Sequence, residues 1–175
     1  MSNKDTYVAG MTSMVLDLKN IAETEEIKYV AVAVALSLLV MMLLLDSYVA
    51  PFLFLLSIGM AILYNMGSNI MFGEISYITK AIAAVLQLGV TMDYSIFLWH
   101  SYMEKLDNGI EPKPAMAEAI NATLISVTGS SVTTIAGFLA LCFMTYKMGM
   151  DLGLVMAKGV VFGVVCSVTV LPVLI

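Results

Sequence analysis

Residues 80–100 read KAIAAVLQLGVTMDYSIFLWH, and the reading of this run decides the fold. From Ala81 onward it is long and apolar enough for a helix crossing hydrocarbon, which takes about 20 mostly apolar residues. Thirteen residues in stands Asp93, followed by Tyr94. A carboxylate at that depth costs several kcal/mol, so such groups face a bundle interior, find partners, or mark an ion or proton pathway. Two roles fit Asp93: proton or ion coupling, and a purely structural, hydrogen-bonded carboxylate. The adjacent Tyr94 adds a hydroxyl.

The rest of the chain has the same character. It is 61% hydrophobic and 12% charged, with a mean hydropathy of +0.97, which is the composition of a membrane protein. Five runs near 28–46, 49–66, 80–100, 121–145 and 152–175 have spanning length, so the expected fold is an all-α bundle of five transmembrane helices. Residues 1–27 precede the first span; within them Tyr7, Met11, Met14, Leu18 and Ile21 recur at steps of three and four, the pattern of an amphipathic helix. Asp46-Ser47-Tyr48 with Pro51 just beyond predicts a tight hairpin, since proline suits the first turn of a helix. The polar stretch from Ser101 to Glu118, with Asn108-Gly109 and Pro112-Lys113-Pro114, is expected to be a loop.

Several functions are excluded. Eight basic residues with no basic block leave no nucleic-acid footprint. No nucleophile–base pair, metal-ligand cluster or glycine-rich phosphate loop suggests an enzyme, a metal or a cofactor. Cys142 and Cys166 lie within apolar segments and read as packing residues, as do the 15 methionines. Trp99, His100 and Tyr102 cluster where the third span meets the interface.

Around Asp93 the helical repeat gathers Leu86, Gly89, Val90, Ile96 and Phe97 on one side. Gly89, one turn earlier, is suited to close approach of another helix. In the fourth run Ser126, Ser130, Thr133, Gly137 and Ala140 form a small, hydroxylated stripe, flanked by Ser131 and Thr134, and this is the expected partner of Asp93. Hydroxyls can donate to a carboxylate or accept from its protonated form; such stripes are also ordinary packing seams. Gly159, Gly163 and Ser167 make a second small-residue ladder. Lys158, about seven residues inside the fifth run, must snorkel to the interface or find a carboxylate such as Asp93.

On these residues the chain resembles the RND superfamily, in particular its MMPL-type exporters. Leu88-Gly89-Val90-Thr91-Met92-Asp93-Tyr94-Ser95-Ile96-Phe97-Leu98 is similar to the family's fourth helix, with its Asp-Tyr pair. Ser130 through Leu139, with Ser-Ser-Val-Thr-Thr at its start, is similar to the fifth helix, and Leu171-Pro172 to the end of the sixth. The stretch from Tyr7 to Asp17 resembles the last piece of an extracytoplasmic porter domain. The resemblance implies helices two to six of one repeat, the block known as a sterol-sensing domain in related proteins, with the first helix, most of the porter domain and the second repeat elsewhere. It also implies proton-motive-force-driven export of lipids or other hydrophobic compounds across a cell membrane. Asp93 and Tyr94 would form the proton relay, with Ser130 a hydrogen-bonding neighbour. Family topology would put residues 1–27 outside and the 101–118 stretch in the cytoplasm. Two other expectations compete with export: a lipid- or sterol-sensing module without transport, and an inactive truncated fragment.

Overall fold

Apolar helices in hydrocarbon satisfy every backbone polar group internally, which is why long apolar runs here become helices and nothing else. The computed structural model describes residues 11–45, 47–69 and 77–175. It contains α1 (Met11–Leu44), α2 (Ala50–Ser68), α3 (Tyr77–Asp107), α4 (Pro112–Leu141) and α5 (Lys147–Leu174), and no strand among the described residues. All five are long and apolar enough to span a membrane. The protein is a multi-pass membrane protein.

The helices overrun the apolar windows read from the sequence. The pre-span segment and first span are one unbroken helix from Met11 to Leu44; residues 1–10, and Asp46 of the first hairpin, lie outside the described residues. The expected loop at 101–118 shrinks to residues 108–111, because α3 runs on to Asp107 and α4 starts at Pro112. Polar residues end a span without ending a helix: at 31 residues α3 is ~46 Å long, well beyond a hydrocarbon core of ~30 Å. Among the described residues Gly109 alone adopts a left-handed φ, 81°, that lets the chain reverse. Across the turn Lys105 Nζ lies 3.4 Å from a Glu118 carboxylate oxygen. At its C-terminal end α4 instead stops short, at Leu141 rather than near 145, while α5 begins early, at Lys147 rather than near 152. Pro51 occupies the first turn of α2 as expected.

Packing centres on α3 and α5. α5 contacts α2, α3 and α4, α3 contacts all four other helices, and α1 rests on α2 and α3. One apolar cluster joins Met41, Phe54, Ile58, Leu88, Leu98 and Leu171. Trp99 turns inward onto Phe54, edge to face at 5.9 Å, rather than serving only as an interfacial anchor.

Lipid is as apolar as leucine, so helices in a bilayer gain from close backbone approach more than from burial. The α5 ladder does this. A Cβ on Gly159 would lie 2.7 Å from Asn65 Nδ2, and one on Gly163 would lie 2.6 Å from Thr91 Oγ1. Ser167 continues the buried line. The seam expected from sequence is real, and it fastens α5 to α2 and α3.

Candidate functional site: a carboxylate and a phenol at mid-membrane

Asp93 falls at the middle of the spanning segment Thr79–Asp107. Its neighbour Tyr94 projects about 100° further round the helix, so the two side chains meet different surroundings. Asp93 is exposed on the surface of the five-helix block, whereas Tyr94 is buried, 6% exposed, in a cluster with Val127 and Val160. Both line an open cleft of about 400 Å³ between α3 and α4, together with Val90, Phe97, Ser126, Val127, Ser130 and Thr134. Among the described residues no charged side chain other than Asp93 lines the cleft.

The hydroxyls of the cleft are already oriented. Ser130 Oγ donates to the Val127 carbonyl at 3.0 Å, and Thr134 Oγ1 to the Ser130 carbonyl at 2.9 Å. A hydroxyl that donates to its own helix presents lone pairs outward. As placed, these groups suit a protonated carboxyl; an ionised one needs them to rotate. Tyr94 is anchored separately: Ser131 Oγ donates to the Tyr94 phenol oxygen at 3.1 Å, and Ser131 is itself buried.

Several sequence expectations need correction. The stripe Ser126, Ser130, Thr133, Gly137 and Ala140 is not the buried seam of α4; all five residues are exposed, and only Ser126 and Ser130 reach the cleft beside Asp93. The buried side of α4 is Ala115, Ala119, Thr123, Val127 and Ser131, a strict four-residue ladder. Ser126 and Ser130 therefore border the cleft at the edge of the exposed stripe. Thr133 lies outside the cleft, and Thr134 takes its place. Gly89 admits no close neighbour within the block: nothing lies within 4 Å of a Cβ built there, or on Gly137. Lys158 donates to Asn69 Oδ1, next to the end of α2, and is not among the cleft residues. The expected pair with Asp93 is therefore not formed in this cleft.

Sequence reasoning passed over Ser131 as the phenol's partner, and the amides of Asn65 and Gln87. The Ala115-to-Ser131 ladder was a usable signal, being as regular as the stripe preferred to it.

The fold and site define a polytopic helical membrane protein with a carboxylate–phenol pair at the centre of one span. The chain belongs to the MMPL family, whose model matches residues 1–175. It is 29% identical over 177 residues to the putative membrane protein ActII-3 of Streptomyces coelicolor, covering 96% of this chain and 24% of that one. It is 39% identical over 90 residues to the putative membrane protein MJ1562 of Methanocaldococcus jannaschii, covering 51% of this chain and 23% of that one. It is also similar to the trehalose monomycolate exporter MmpL3 of Mycobacterium tuberculosis, 24% identical over 101 residues, 58% of this chain and 11% of the exporter. The chain thus spans about a quarter or less of the length of these relatives.

Proposed function

We propose that this five-helix block is the proton-coupling part of a proton-motive-force-driven exporter of lipids or other hydrophobic compounds, with Asp93 and Tyr94 as its relay. The observation that carries this reading is the cleft: an ionisable carboxylate at mid-span beside a buried, hydrogen-bonded phenol and three hydroxyl-bearing side chains. Proton coupling needs a group able to gain and lose a proton within the membrane and neighbours that answer the change. Ser130 and Thr134 do so by rotating, donating to the carboxylate in one state and to backbone in the other.

The exposed face around the cleft supports a further part of the reading. A charged group facing lipid is costly, and open glycines such as Gly89 and Gly137 suit a close helix contact. The rest of the transporter, in particular a second membrane repeat, covers this face. Movement driven by Asp93 protonation would pass through that contact to a porter domain, where cargo is selected. The relatives' greater length leaves room for all of these parts, and the exporter named for trehalose monomycolate supports lipid-like cargo.

Export by the complete protein tests the reading. Asp93→Asn keeps the side-chain shape and removes the titrating group; membrane insertion should persist while gradient-dependent export is lost. Undiminished export by this variant would remove Asp93 from the mechanism.

A further inference from the structure

The side of α3 away from Asp93 carries a second polar assembly that the relay does not use. Asn65 of α2 and Gln87 of α3 are enclosed, 0% and 1% exposed. Asn65 Nδ2 donates to Gln87 Oε1 at 2.7 Å and to the Val155 carbonyl at 3.2 Å, while Gln87 Nε2 donates to the Gly159 carbonyl at 3.3 Å. Three helices meet at one amide pair, which grips two successive turns of α5.

At its glycines the gripped face of α5 has little relief. Gly159 and Gly163 offer α2 and α3 no side chain, and a helix presents the same carbonyls at every turn, ~5.4 Å apart. Along this glycine line directional hydrogen bonds define the height, beside the apolar packing of Met156 and Leu171 elsewhere on α5, and selecting a register is the best-attested use of buried polar groups. Stability does not explain the arrangement. Asn65 Oδ1 is left without a partner among the described residues, and interhelical hydrogen bonds in bilayers return little on average. The residue after the gripped Gly159 is Val160, which packs in the cluster holding Tyr94 and Val127. The height of α5 therefore sets the wall behind the phenol.

We infer that Asn65 and Gln87 are positioning residues: they hold α5 at the one height that keeps Val160 against Tyr94, and so give the Asp93–Tyr94 pair a single environment. The inference rests on the relay reading of that pair. The groups facing Asp93 are Tyr94 of α3 and Ser126, Ser130 and Thr134 of α4; α5 contributes none.

The test uses the complete protein in lipid and the pH-dependent infrared carboxyl band that Asp93→Asn removes. The wild-type band should titrate as one site, over about two pH units. With Asn65→Leu/Gln87→Met, near-isosteric and apolar, melting temperature should hold while the midpoint of the one-site titration moves by about half a pH unit or more, as interconverting registers change the surroundings of the pair. The exchange variant Asn65→Gln/Gln87→Asn should bring the midpoint back. Gly159→Ala, which keeps both amides but puts a methyl 2.7 Å from Asn65 Nδ2, gives a second route to the shifted midpoint should the double variant fail to insert. A midpoint that stays at the wild-type value in these variants, with or without a lower melting temperature, reduces the pair to ordinary packing and overturns the inference. Absence of a titrating Asp93 band in the wild type overturns the relay reading, and the positioning role with it.

Discussion

Substituting alanine at Gly163 and at Gly89 separates a glycine that a neighbour requires from one that this block leaves open. At Gly163 the added Cβ falls 2.6 Å from Thr91 Oγ1 and 3.4 Å from Thr91 Cβ and Cγ2. Rotating Thr91 only exchanges one branch for another, since a β-branched side chain on a helix has few allowed rotamers. The helices must part, and overpacking of this kind costs about 1–3 kcal/mol. Alanine's better helix propensity offsets roughly 1 kcal/mol of that. At Gly89 nothing lies within 4 Å, so only the propensity gain applies inside the block. Gly163→Ala should therefore come out less stable than Gly89→Ala by about 1–3 kcal/mol, the size of the overpacking term. Reversible unfolding in mixed micelles, with both variants made in the same chain, measures the difference directly. Equal stability, or a more stable Gly163→Ala, would refute the close seam between Gly163 and Thr91. The same Gly89→Ala variant should impair export by the complete protein if a second repeat closes on this face.

Three further outcomes follow from the site. Tyr94→Phe and Ser131→Ala should each weaken proton-driven export, and in a double-mutant cycle Ser131→Ala should add little once Tyr94 has lost its hydroxyl; additive losses would show that Ser131 acts elsewhere. Their coupling in unfolding experiments should be modest, on the order of 0.6 kcal/mol, the average for interhelical hydrogen bonds in a bilayer. Lys158→Met should loosen the end of α2, seen as faster hydrogen exchange there, while leaving the titration of the Asp93 carboxyl band unchanged; a changed titration would tie Lys158 to the relay. Removing the exposed Lys105–Glu118 pair with Glu118→Gln should alter stability by less than about 1 kcal/mol.

The number of spans was legible because hydrocarbon imposes a length on every crossing helix, and Asp93 stood out because little else in the third span ionises. Helix ends were less legible. Hydropathy marks where a span leaves lipid, whereas Glu104, Lys105 and Asp107 simply continue α3 into water. The α5 ladder was recognisable because three small residues four apart have few other uses in a span. On α4 two small ladders run side by side, Ala115 to Ser131 and Ser126 to Ala140, and periodicity alone does not say which faces inward. The hydroxyl count favoured the second; packing selected the first. Ser131 was missed as the phenol's partner for that reason, and the resemblance pointed one residue away, to Ser130. The amide pair was overlooked because Asn65 and Gln87 are 22 positions apart and meet only when α2 and α3 fold back on each other.

The most direct test of the relay is proton entry itself. In vesicles holding the complete protein, with an imposed inward proton gradient and a trapped pH-sensitive dye, the wild type should acidify the lumen as it works and Asp93→Asn should not, at equal amounts of inserted protein. Equal acidification by the two would contradict the account.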